Sequence, residues 1–80
     1  MNLQLIQGQF IPNDALEVIT KMIHIKIKYH ENKISDLSNE EDIKNREAKI
    51  KRLQKELFEV RDEILAKKGK INIEATINID

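Results

Sequence analysis

The spacing of the hydrophobic residues changes along the chain, and in the first ten residues it indicates a strand. Residues 3–10 alternate, with Leu3 and Leu5 on one face and Ile6, Gly8 and Phe10 on the other. Because the apolar residues change face partway, we expect a bulge near Gly8 or burial on both sides of the strand.

A long helix is predicted next, at about residues 14–36. Pro12 suits the approach to a helix, and Asn13 or Asp14 can accept hydrogen bonds from the first turn. Two apolar stripes follow helical spacing: Leu16, Ile19, Ile23, Ile27, His30, Ile34 and Leu37, and beside them Ala15, Val18, Met22, Ile25 and Tyr29. Residues 22–29 also alternate with period two, so a strand is the alternative there. Both stripes continue beyond this window, which favours the helix.

The clearest pattern predicts a second helix at about residues 40–68, followed by a strand at about residues 71–79. Ser38 or Asn39 can cap this helix, and Gly69 can end it in the left-handed conformation. Heptad positions of the helix carry Ile43, Ile50, Leu53, Leu57, Val60 and Ile64, with Arg46 as the one polar member. In the strand, apolar residues occupy alternate positions: Ile71, Ile73, Ala75, Ile77 and Ile79.

Together these elements predict one α+β domain, mostly α, spanning residues 1–80 with the order βααβ. The short connection between the helices predicts a long antiparallel hairpin with a seam like that of a coiled coil. Such a hairpin returns the chain to its starting point, so the two terminal strands can pair as a two-stranded antiparallel ribbon.

This layout predicts a homodimer, with a tetramer as the alternative. An 80-residue chain without cysteine has little core and no disulfide to stabilise it, and an isolated two-stranded ribbon is marginal in water. We expect the core or the dimer interface to include Ile23, Ile27, His30, Ile50, Leu53, Leu57, Val60, Ile64, Ile73 and Ile77.

Composition and motifs indicate no catalytic chemistry, metal or cofactor. Basic and acidic residues balance at 14 each, which argues against nucleic acid and membrane surfaces as partners. No hydrophobic block is long enough for secretion or membrane spanning, so we expect a cytoplasmic protein. His24 and His30 are six residues apart and point away from each other on a helix, unlike paired metal ligands. Two glycines cannot build a phosphate-cradling loop.

The function predicted from these features is that of a structural or protein-interaction module, not an enzyme, with itself and another protein as partners. One alternative comes from the order of a strand and two helices, which resembles ribbon-helix-helix DNA-binding proteins. This chain departs from that family in its longer helices, its final strand and its lack of Lys or Arg before Lys21. A second alternative is a dimer with an intersubunit ligand pocket near Tyr29, His30 and Arg46.

Overall fold

The computed structural model describes residues 1–36 and 39–80. It contains β1 (Asn2–Phe10), α1 (Pro12–Ile34), α2 (Glu40–Ala66) and β2 (Ile71–Asn78), in that order. The predicted βααβ order and the mostly helical α+β class are confirmed. Residues 22–29 belong to α1, so the strand alternative for this window is wrong.

The start of α1 differs from the prediction. The helix begins at Pro12 with Ile11 as its N-cap, and no side chain hydrogen-bonds the first turn. Proline fits this first position because its φ angle is already helical and the helix leaves the N–H of that position without a partner anyway. Asn13 and Asp14 therefore lie inside the first turn instead of capping it. The carboxylate of Asp14 still interacts favourably with the positive end of the helix.

Local hydrogen bonds stabilise the last turn of α1 and the first turn of α2. α1 ends at Ile34, two residues before the predicted bound, and the Ser35 hydroxyl donates to the Asn32 carbonyl oxygen at 2.7 Å. The Asn39 side-chain oxygen accepts from the Glu41 backbone N–H at 2.8 Å, which confirms Asn39 as the cap of α2. The alternative cap, Ser38, and the last residue of the first stripe, Leu37, lie outside the described residues.

The second helix ends earlier than its glycine signal indicated. α2 stops at Ala66 because Lys67 already has extended backbone angles. Gly69 does adopt a positive φ of 85°. It makes the turn that leads into β2, a conformation that glycine adopts without the steric cost other residues meet.

The terminal ribbon consists of β1 and β2, paired antiparallel over their length. Gln4 pairs with Thr76 and Ile6 with Ala75, so Leu5 is the extra residue of a β-bulge. The bulge predicted near Gly8 is therefore displaced to Leu5. It brings the apolar residues of both strands to one side, which we call the apolar ribbon face: Leu3, Ile6, Gly8, Phe10, Ile71, Ile73, Ala75 and Ile77.

The two helices form an antiparallel hairpin. His30, near the end of α1, contacts Arg46, near the start of α2, whereas Ile19 lies beside Val60 and Ile64 near the opposite ends. The ribbon leaves the hairpin at the end where α1 begins and α2 stops.

Residues 1–36 and 39–80 form a single thin layer. Its Cα envelope measures 47 × 33 × 13 Å, and its radius of gyration of 15.3 Å exceeds the roughly 12 Å of a compact 80-residue domain. Stable domains pack at least two layers of secondary structure around a core. A single copy of this chain does not provide the second layer.

Candidate functional site

The seam between the two helices contains most of the apolar residues selected from the sequence. Leu53 and Ile64 are buried there, and Ala15 is buried near the start of α1. The remaining selected helical residues are half-buried: Ile23, Ile27, His30, Ile50, Leu57 and Val60. These positions therefore line the hairpin seam, and contacts within one chain are enough to explain their partial burial.

The ribbon has no buried residue and is less well covered than the hairpin seam at its open end. Ile73 is half-buried, but Leu3 and its cross-strand partner Ile77 remain 42% and 39% exposed. At the open end of the ribbon the backbones of Met1 and Ile79 hydrogen-bond reciprocally at 2.6 and 2.7 Å, and both side chains are exposed. The apolar ribbon face is therefore half-buried next to the helices and exposed at its open end, at Leu3 and Ile77.

The hairpin also exposes apolar side chains outside its seam. Ile25 and Tyr29 belong to the second stripe of α1 and are 70% and 54% exposed, whereas Val18 and Met22 of the same stripe are half-buried. The stripe is thus covered near the ribbon and open farther along the hairpin.

The three residues predicted to form a ligand pocket do come together. Arg46 Nη1 lies 2.8 Å from His30 Nδ1, and the Arg46 guanidinium carbon lies 5.7 Å from the centre of the Tyr29 ring. The Tyr29 and His30 rings meet edge to face with centroids 5.6 Å apart, and Lys33 Nζ lies 5.6 Å from the Tyr29 ring centre. Since arginine only donates, His30 Nδ1 must accept, which requires a neutral imidazole with its proton on Nε2.

The surroundings of His30 disfavour its protonation. Burial is the largest cause, and the positive charges of Arg46, Lys49 and Lys26 add to it, so the pKa of His30 lies below its ordinary value of 6.5. Positively charged side chains from both helices therefore lie close to His30.

That positive charge surrounds two neighbouring grooves, one between the helices and one along α2. The first groove, of about 250 Å³, is lined by Lys26, His30, Lys49, Arg52, Leu53 and Glu56. The second, of about 330 Å³, is lined by Asp42, Asn45, Arg46 and Lys49. Within one chain His30 and Arg46 therefore line different grooves that share Lys49. The intersubunit pocket near Tyr29, His30 and Arg46 stays a prediction.

Our reasoning from the sequence missed Lys49 and Arg52. The available signal was the three-residue spacing of Arg46, Lys49 and Arg52, which places these cations along one side of the α2 heptad stripe. Their meeting with Lys26 and His30 depends on how α2 is rotated against α1, which periodicity alone does not specify.

Within residues 1–36 and 39–80 no group of three or more His, Asp or Glu side chains is arranged to hold a metal ion. None of the described helices has an apolar stretch that could cross a bilayer. The cytoplasmic location stays a prediction.

No family model, curated protein or solved structure matches this chain. What the chain does has therefore to be inferred from its own surfaces and charges.

Proposed function

We propose that this chain is a homodimeric structural and protein-interaction module, whose fold is completed by a second copy. The observation that carries the proposal is the one-layer architecture, in which the chain covers its apolar ribbon face only in part. A second copy supplies the missing layer with the same surface and needs no other partner.

The accessible surface has the size that this proposal requires. The chain exposes 6493 Å², about 1,500 Å² more than the roughly 5,000 Å² of a compact monomer of this mass. A standard interface covers about 800 Å² on each partner, and obligate homodimers often cover more. The excess is therefore sufficient for a stable dimer.

The proposed contact joins the two ribbons about a two-fold axis. Edge pairing gives a four-stranded sheet, whose apolar side then faces a layer of four helices. The interface continues from the ribbon along the second stripe of α1 towards Ile25. We also propose that α1 and α2 pack along their seam in the manner of a coiled coil. Burying the exposed parts of Leu3, Ile77 and Ile79 contributes about 2–4 kcal/mol per chain before ordering costs.

The opposite face of the ribbon does not favour the DNA-binding alternative. Within the paired strands this face carries Gln4, Gln7, Gln9, Asn72, Glu74 and Thr76. These residues include a carboxylate and no cation, whereas contacts to DNA phosphates need Lys or Arg.

Sedimentation equilibrium at micromolar concentration tests the dimer, with Ile77→Thr as the probe and Asn78→Thr as its matched control. Ile77 lies on the apolar ribbon face, and Asn78 pairs with Asn2 on the other face. We expect twice the 9.4 kDa chain mass for the unchanged protein. The dimer dissociation constant should rise at least about tenfold for Ile77→Thr and stay nearly unchanged for Asn78→Thr.

Three results would speak against this proposal. A cooperative, fully folded monomer at micromolar concentration would remove the need for a partner. Equal effects of the two substitutions would show that the apolar ribbon face is not the contact. Four times the chain mass would replace the dimer with the tetramer alternative.

A further inference from the structure

We propose that the groove lined by Lys26, His30, Lys49 and Arg52, here called the basic groove, binds a small multivalent oxyanion of the phosphate class. The groove is formed within one chain, by the second half of α1 and the middle of α2, away from the ribbon. The proposal therefore stands apart from the proposed homodimer.

The charges in and beside the basic groove are not neutralised by ion pairs. Within residues 1–36 and 39–80 the ion pairs are Lys21–Glu17 and Lys44–Glu40, and neither involves a residue of the groove. Glu56 is the one carboxylate in the lining, against three permanent cations. Arg46 in the adjacent groove adds a fourth cation, and Asp42 a second carboxylate. A positive excess therefore remains after both acids are counted.

Asp42 and Glu56, four residues from Arg46 and Arg52, offset only part of the repulsion among these cations when no anion is bound. Arg46, Lys49 and Arg52 follow one another at three-residue spacing, and like charges at this spacing repel each other on a helix. A multivalent anion between α1 and α2 would relieve that repulsion on both helices at once.

The chemistry and size of the groove select the ligand class. The Arg52 guanidinium can donate two parallel hydrogen bonds to an oxyanion, while Lys26 and Lys49 supply point charges from opposite helices. Buried Leu53 is the one apolar side chain in the lining. A volume of about 250 Å³ lies below the roughly 300–1,000 Å³ of pockets for drug-sized molecules, so the ligand is small.

His30 provides a reporter inside the groove. Burial and the charges of Arg46, Lys49 and Lys26 lower its pKa, while Arg52, Glu56, Lys33 and Tyr29 are the other titratable or charged groups nearby. An anion bound among these cations offsets their field. Its binding must therefore raise the pKa of His30 towards the ordinary value.

The test follows the His30 ring signals by NMR during titration with pyrophosphate at low salt, using the full chain. The probe variant is Lys49→Gln with Arg52→Gln. Its control is Lys55→Gln with Arg61→Gln, which removes the same charge from exposed positions of α2 outside the groove. Thermal unfolding of each variant shows whether it remains folded. Orthophosphate and a glutamate-rich peptide are titrated in parallel to separate small oxyanions from acidic protein segments.

We expect saturable binding of pyrophosphate, a raised pKa of His30 in the complex, and at least a tenfold loss of affinity in the probe variant with no comparable loss in the control. Orthophosphate should bind more weakly because it carries less charge. No saturation by about 10 mM pyrophosphate would overturn the proposal, since a phosphate site that weak could not be called specific. Equal losses in probe and control, or equal affinity for the peptide, would overturn it as well.

Discussion

Removing Leu5 should leave the ribbon intact, although Leu5 lies inside a strand. Leu5 is the extra residue of the bulge, between the Gln4–Thr76 and Ile6–Ala75 pairs. Without it, the remaining residues of β1 alternate regularly and every existing cross-strand pair keeps its partner. The deletion therefore converts a bulged strand into a regular one.

The expected change in stability is small because two effects oppose each other. Leu5 is 47% exposed, so its removal loses about half of the 1.5–3 kcal/mol that a fully buried leucine contributes, or about 1 kcal/mol. The deletion also removes a residue whose backbone is ordered without a ladder partner, and this ordering costs about 1–2 kcal/mol. The free energy of unfolding should therefore change by no more than about 1 kcal/mol.

Deletion of Thr76 is the matched control on the opposite strand. β2 has no bulge to absorb the loss, so Ile77 moves opposite Gln4 on the polar face or the mismatch in β1 doubles. We expect a loss of about 2–3 kcal/mol from the displaced Ile77 and the additional unpaired residue.

Urea unfolding at one fixed protein concentration measures both deletions, because the stability of a dimer depends on concentration. Cross-strand NOEs between residues 3 and 77 report whether the register is kept. A loss above about 2 kcal/mol on deletion of Leu5, or loss of the 3–77 contact, would refute the assignment of Leu5 as a dispensable insertion.

Three further predictions concern the hairpin. Leu53→Ala should lower the free energy of unfolding by about 2–5 kcal/mol in urea titrations, because the side chain is 7% exposed in the seam; a loss below about 1 kcal/mol would contradict this packing. Asn39→Ala should cost about 1 kcal/mol by removing the acceptor for the Glu41 N–H, and Asn39→Asp should retain the stability. Because the pKa of His30 is lowered in the folded chain, its contribution to stability is complete above about pH 6.5 and is lost as the pH falls through that value towards the folded pKa. Urea midpoints at pH 7.5 and 5.5 should show this loss, and His30→Gln should remove the part due to the histidine.

Most of the secondary structure could be predicted because its signals are local. The alternation from Ile71 to Ile77 and the heptads of α2 repeat at the period of the element they form. The helix ends were less accurate because neighbouring signals compete there. Pro12 began α1 before Asn13 or Asp14 could cap it, and α2 stopped three residues before Gly69.

The position of the bulge could not be predicted from the sequence of β1 alone. The change of face between Leu3 and Ile6 is visible in β1 alone, and it required an irregularity. Whether that irregularity lay at Leu5 or near Gly8 depended on the register with β2, some 70 residues away along the chain. Cross-strand hydrogen bonds make that choice, and the pattern of one strand does not encode it.

The candidate site divides in the same way. Its side chains were set by sequence: the first stripe of α1 carries His30, and the heptad series of α2 carries Arg46, so packing the two stripes together brings these residues into contact. Only the tertiary structure decided that Lys26 meets Lys49 and Arg52 in a groove, because this depends on the rotation and offset of two packed helices. Periodicity determines which face of an element is apolar, whereas the charges that meet at the rim of a seam are determined by how the elements are packed.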